Sequence, residues 1–293
     1  MSSVLLTGAS GFIGRHLLAR LRAGHSVIAP VRAELDLLDD QAVRALLRRV
    51  KPDVIVHSAV TPGHRNAPKV DGLAARNLRL FFNLAQDADL YGRFVLLGSG
   101  SEYDVARMAP RSREEDLGRF IPAEESAASK FALSKFAEGS SRFTILRPFG
   151  VYGPGEDLQI RFISNAICKA ICGLPITLRQ SRRFDYVHVD DLAAVVARFV
   201  EAPGRHRSYN VTTDETAELF TIAQKVAAVA GGKVPIQVAQ PGLGLEYSGD
   251  NARLRAELPQ LKFTSLDEGI SRLHAHYLEH RGLFSPELLA TDK

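Results

Sequence analysis

A doubly wound parallel α/β sheet with a smaller C-terminal lobe is the fold class this sequence predicts, and three observations carry it. Short β-rich runs alternate with helical patterns through the first half, the order that parallel strands with long crossovers require. The first strand runs straight into a glycine-spaced loop that opens a helix. After Pro148 the alternation gives way to Gly/Pro-rich turns and a different spacing.

The strand candidates are Val4–Thr7, Ser26–Pro30, Val54–His57, Phe94–Leu97 and Phe143–Leu146, with helices expected at Gly11–Arg22, Asp40–Val50, Leu73–Ala88 and Glu125–Glu138. Beyond the turn-rich Gly150–Gly155 stretch, a helix pattern at Gln159–Cys172 precedes a β segment at Pro175–Leu178. A strand at Asp185–His188 and a helix at Asp190–Val200 are expected to return to the main sheet. Ser208–Val211, Ala217–Ala230 and Pro235–Val238 are expected in the appended lobe. The expected domains are residues 1–150, joined by 184–200, and a mainly substrate-binding lobe over 151–293.

Composition narrows the class. The 293 residues are 45% hydrophobic and 24% charged, which excludes disordered, collagen-like and fibrous chains. The net charge of +4 comes from scattered residues such as Arg44, Arg48, Arg111 and Arg119, so a small anionic ligand is expected and a nucleic-acid partner is not. Cys168 and Cys172, four apart in a helical pattern, read as buried thiols without zinc-ligand spacing, and no metal site is expected. No apolar run approaches the ~18 residues of a membrane span. Val4-Leu5-Leu6 begins so near Met1 that no cleavable signal fits, which makes the cytoplasm the expected location.

The loop Thr7-Gly8-Ala9-Ser10-Gly11-Phe12-Ile13-Gly14 carries the most chemistry. Glycines at its first, fourth and seventh positions let a diphosphate approach main-chain N–H groups at the positive end of a helix dipole, the Rossmann-type arrangement. Gly8, Ser10, Gly11, Phe12, Ile13 and Gly14 are therefore candidate cofactor contacts. At the end of the second strand, Ala29-Pro30-Val31-Arg32 offers no carboxylate for a ribose diol but does offer an arginine for a 2′-phosphate, so NADP is expected over NAD. Asp36 and Leu37 follow as neighbours of the adenine.

With these residues in place, the chain resembles the extended short-chain dehydrogenase/reductase family of nucleotide-sugar epimerases, dehydratases and ketoreductases. Thr7–Gly14 is similar to its TGxxGxxG, and Val56-His57-Ser58-Ala59 to the segment passing under the cofactor. Asn77 matches the asparagine of its fourth-helix pattern. Leu146-Arg147-Pro148 with Val151-Tyr152-Gly153-Pro154 resembles its LRPxxVYGP, and Phe184 to Asp191 its RDFxxVDD. The resemblance implies that Ser58, Ala59 and Asn77 serve the cofactor, that Tyr152 and Arg183 serve a nucleotide-linked sugar, and that Ser99 holds the reacting oxygen. It also implies a homodimer paired through the helices bearing Phe81, Phe82, Phe131 and Phe136, although the same rings suit a sheet-facing role equally well.

One part of the family pattern is absent. Its proton exchange uses a tyrosine four residues before a lysine, and none of the seven tyrosines here has that spacing. Two alignments fit: Ser126 with Lys130, or Phe131 with Lys135. The first leaves more room to finish a helix and enter the strand of Arg147, so Lys130 is the expected ribose contact, with Ser126 in the tyrosine's place. Tyr103 and Glu102, from the loop after Ser99, are candidate substitutes, while a packed ring is the other reading of Tyr103. The family's sugar dehydratases carry Asp-Glu after the Ser99 position, where Gly100-Ser101 stand here. The expected function is an NADP-dependent ketoreductase or epimerase of a nucleotide-linked sugar. A redox-silent sensor or scaffold, and a lyase or isomerase using the same cleft, are the alternatives.

Overall fold

The structure, a computed structural model, describes residues 1–63 and 67–289. In the nucleotide-binding half, β1 (Ser3–Thr7), α1 (Phe12–Arg22), β2 (Ser26–Ile28), α2 (Asp40–Val50), β3 (Val54–His57), α3 (Leu73–Ala85), β4 (Arg93–Leu97), α4 (Glu125–Ala137) and β5 (Phe143–Pro148) alternate as expected. The rest comprises β6 (Gly150–Tyr152), α5 (Phe162–Ile171), β7 (Ile176–Ser181), β8 (Arg183–His188), α6 (Val189–Glu201), β9 (Ser208–Val211) and β10 (Thr216–Glu218). It continues with α7 (Leu219–Val229), β11 (Ile236–Leu243), α8 (Ala252–Glu257), α9 (Leu266–Glu279) and α10 (Pro286–Leu289).

The main sheet is parallel, in the order β2-β1-β3-β4-β5-β9. Strand alternation divides its side chains into two cores. Val4, Leu6, Val54, Val56 and Val95 pack with α1 and α6 on one face; Leu5, Ile55, Phe94 and Ile145 pack with α2, α3 and α4 on the other. The chain leaves β1 for β2 on one side and returns to β3 on the other. That reversal opens a crevice at the carboxyl ends of β1 and β3, where ligands of such sheets bind.

Two assignments are corrected. Ser208–Val211 is not in the appended lobe: it is β9, the sixth strand of the main sheet, in register with Ile145–Pro148 of β5 and buried throughout. The strand at Asp185–His188 does not return to that sheet: as part of β8 it joins β6 and β10 in a separate three-stranded sheet, and only the following α6 comes back to pack on α1. The lobe has its own core, in which Ile163, Ile167, Cys168, Ile222, Ile270 and Leu273 meet, and β7 pairs in parallel with β11. Cys168 is buried and Cys172 partly so, both as free thiols. Phe81 is fully buried, whereas Phe136 is 49% exposed and meets Phe82 edge to face. Among the described residues no helix is long and apolar enough to cross a membrane.

Helix α1 ties the two lobes. Arg15 donates to the Gly155 carbonyl at 3.0 Å, while His16 faces the Asp190 carboxylate at 2.7 Å and the Pro154 carbonyl at 2.9 Å. Both ring nitrogens face acceptors, so the imidazolium is the form that satisfies them. The Asp190 bond raises the His16 pKa above its ordinary 6.5 against the opposing effect of burial, and the His16 bond lowers that of Asp190 from 3.8. The histidine's contribution is therefore complete below 6.5 and fades as pH rises through its folded-state value; the aspartate's fades as pH falls below 3.8. A His16→Gln variant should be less stable than wild type by no more than about 1 kcal/mol, the range of a partly exposed pair, when urea midpoints are compared between those two pH values. The difference should shrink in alkaline buffer.

Candidate dinucleotide site and adjoining cleft

The loop after β1 is shaped by what cannot be there. Gly8 adopts φ 77°, and a Cβ on it would stand 2.6 Å from the Ala59 nitrogen; one on Gly14 would stand 1.9 Å from the Gly8 carbonyl oxygen. Only bare main chain lets β1, its loop and the end of β3 approach so closely. Gly11 caps α1 without any side-chain hydrogen bond, and the first turn holds no acidic residue. The leading N–H groups of α1 and the positive end of its dipole are thus left to an anion.

These groups open into a cavity of about 580 Å³. Gly8, Ser10, Gly11, Phe12, Ile13 and Gly14 form its floor; Pro30, Arg32, Asp36 and Leu37 wall one end; Ser58 and Ala59 wall the side beyond β3. The sequence-predicted cofactor residues therefore converge, except Asn77 and Lys130, which do not line the cavity. Asn77 is 4% exposed; its side chain accepts the Thr61 N–H at 2.8 Å and so props the loop that does line it. Arg76, next to it on α3, and Arg161, at the start of α5, both line the cavity and were missed. An isolated arginine carries no sequence signal of that placement.

Beyond the cavity lies the cleft at the end of β4. Lys130, partly buried on α4, donates no hydrogen bond among the described residues, and burial lowers its pKa. It stands near His57, whose imidazole is pushed down to about 3 by burial first and by Lys130 second, and whose Nδ1 meets Thr7 Oγ1 at 2.8 Å. Lys135 instead pairs with Glu138 at 3.1 Å. Ser126 lies in the first turn of α4, where a Cβ on Gly63 would come within 3.2 Å of its own; it borders the cavity wall without forming it. Ser99 is partly exposed, its N–H held by Glu102 at 2.7 Å and its hydroxyl accepting from Ser101.

Four candidates are placed elsewhere by packing. Tyr103 is 3% exposed, stacks on Phe149, and donates its hydroxyl to Asn210 at 2.7 Å. Glu102 is fully buried and paired with Arg147 at 2.7 Å, so it cannot reach the cleft. Tyr152 is 1% exposed, with its hydroxyl pressed against Gly269 of α9 inside the lobe. Arg183 points outward toward Glu218, while its neighbour Arg182 folds over the Phe184 ring.

A family model described as the NAD dependent epimerase/dehydratase family matches residues 4–212. The chain belongs to that family. Among curated relatives, the GDP-L-fucose synthase of Azorhizobium caulinodans is 36% identical over 300 residues, covering 94% of this chain and 96% of its own. The GDP-L-colitose synthase of Yersinia pseudotuberculosis is 30% identical over 310 residues, covering 95% and 98%. Among solved structures, a GDP-L-fucose synthetase from Naegleria fowleri bound to NADP superposes with a TM-score of 0.82 at 15% identity, covering 96% of this chain and 93% of that one. In this epimerase/dehydratase chain the glycine cradle fits a dinucleotide: the main chain is bare where a diphosphate would lie, and Arg32 lines the same cavity.

Proposed function

We propose that this chain is an NADP(H)-dependent reductase of a ketone carried on a nucleotide-linked sugar. The observation that carries the reading is the uncapped start of α1 opening into a cavity whose far end presents Arg32 just after β2, with the Asp36 carboxylate beside it accepting the Leu38 N–H. The curated relatives, whose names are those of nucleotide-sugar synthases and reductases, support the substrate class. When bound, the dinucleotide supplies the hydride. The Gly8–Gly14 main chain holds its diphosphate, Arg32 its 2′-phosphate, and the desolvated Lys130 ammonium orients the sugar nearest the cleft. Ser99 binds the carbonyl oxygen. Arg161, from the lobe, adds positive charge where a substrate diphosphate would enter. A reductase takes up and releases its cofactor in each cycle, which suits an exposed arginine better than an epimerase's retained NAD does. The protein is read as a cytoplasmic homodimer whose α3–α4 face covers Phe136, with neither nucleic acid nor membrane as partner.

Mixing the protein with NADPH and a panel of keto nucleotide sugars should consume NADPH absorbance; inertness across the panel with cofactor bound would falsify the reading. Arg32→Ser should weaken NADPH binding about ten- to a hundredfold, the effect of one charge-assisted contact, and leave NADH binding unchanged in fluorescence titrations. Equal losses for both cofactors would remove Arg32 from the phosphate site.

A further inference from the structure

Reducing a carbonyl requires a proton for its oxygen, and α4 carries no phenol to give one. The chain's seven tyrosines can be sorted by where their hydroxyls go. Tyr91 donates to the Ala85 carbonyl, Tyr103 to Asn210, Tyr209 to Glu257 and Tyr277 to Ser164. Tyr152 is sealed against Gly269, and Tyr186 packs on Phe184 beside a separate hollow lined by Thr213 and Leu266. Tyr247 differs. A Cβ built on Gly100 would stand 2.7 Å from its Oη, so the phenol oxygen rests on bare main chain at the carboxyl end of β4, with the Ser99 hydroxyl as its polar neighbour.

The ring is held there firmly. Phe149 and Phe184 contact it at centroid distances of 5.0 and 5.4 Å. Its N–H donates to the Arg183 carbonyl at 2.9 Å, and its carbonyl accepts the Asp185 N–H at 3.0 Å. Tyr247 is 8% exposed and belongs, through β8, to the lobe. The lobe thus delivers a phenol across the cleft to the serine at the end of β4.

We propose that Tyr247 is the proton donor of this enzyme, acting on a carbonyl oxygen seated between its phenol and the Ser99 hydroxyl. The step rests on the reductase reading above, and it balances. The carbonyl carbon gains a hydride from the reduced dinucleotide, the Tyr247 O–H bond breaks as the substrate O–H bond forms, and the phenolate recovers a proton from water. Burial, joined by the Glu102 and Asp185 charges, keeps the resting phenol protonated, the state a donor needs; the Ser99 contact and the Arg161 charge favour the phenolate left behind.

Tyr247→Phe keeps the ring and its packing. It should lower kcat for ketone reduction on the order of 10²–10⁴-fold, the value of a positioned acid, with NADPH affinity unchanged. Adding Ser126→Tyr to that variant should restore part of the rate by placing a phenol on α4 one turn before Lys130. A second readout needs no turnover: with isotope-labelled tyrosine, the NMR signal that Tyr247→Phe removes should shift when NADP⁺ binds, and that of Tyr91 should not. A variant retaining the wild-type kcat, or a Tyr247 signal indifferent to NADP⁺, overturns the donor and leaves the reductase reading in place. A protein with no dinucleotide affinity by calorimetry overturns both.

Discussion

An Arg147→Met variant is expected to lose about 3–5 kcal/mol of stability, most of what many domains of this size have to lose. Arg147 and Glu102 are each fully buried and joined at 2.7 Å, and a second guanidinium nitrogen reaches Glu138 at 3.0 Å. Removing the arginine leaves a buried carboxylate without its hydrogen-bonded cation, a larger penalty than the pair's net worth. The control is the double variant Arg147→Met with Glu102→Gln. Deleting both charges should recover a large part of the loss, because the unpaired charge rather than the missing attraction dominates. Urea midpoints of the two variants against wild type decide it; a double variant as unstable as the single one would show that packing around Arg147, not its charge, holds the site. The pair bears on the cleft only through Ser99, whose N–H donates to Glu102 Oε1 at 2.7 Å. Even at a temperature where Arg147→Met stays folded, Ser99 should therefore be less well placed and ketone reduction slower.

How much of this was legible beforehand depends on the range of the forces involved. Helix α2 was readable to its ends, because Asp39 caps it, Val43, Leu46 and Leu47 repeat at helical spacing, and Lys51 closes it in the left-handed conformation. The glycine cradle was equally legible, since the need for bare main chain is set within one loop. Ser208–Val211 and Asp185–His188 were recognisable as strands but not assignable to a sheet, because a short strand's own pattern does not say which edge it will pair with. The same limit governs the site. Arg161 and Tyr247 reach it from the lobe, across a distance that only the packing of α5 and β8 determines, whereas Tyr152, carried by a recognisable motif, is drawn into the lobe core by Gly269. The residues of the cofactor floor come from local sequence; those of the substrate side come from tertiary structure.

Gly14→Ala is the sharpest test of that floor. The added methyl would stand 1.9 Å from the Gly8 oxygen, 2.7 Å from the Gly8 carbonyl carbon and 2.8 Å from the Ala9 Cα, all main-chain atoms that no rotamer change can move aside. Helix α1 must therefore withdraw from β1. Overpacking of this kind commonly costs about 1–3 kcal/mol, and a displacement near an ångström at a positioned ligand group is worth on the order of 10² in function. Dinucleotide affinity by calorimetry should fall by about that factor, and more than for Arg32→Ser, because the whole row of N–H groups moves rather than one side chain. The interlobe tie should loosen with it, since Arg15 and His16 ride on the same helix. The contrast is Gly24→Ala just past the end of α1, where a Cβ meets nothing within 4 Å: it should bind the dinucleotide as wild type does. If Gly14→Ala also bound as wild type, the close approach of α1 to β1 would not be what shapes the anion site, and the reading built on that approach would fall.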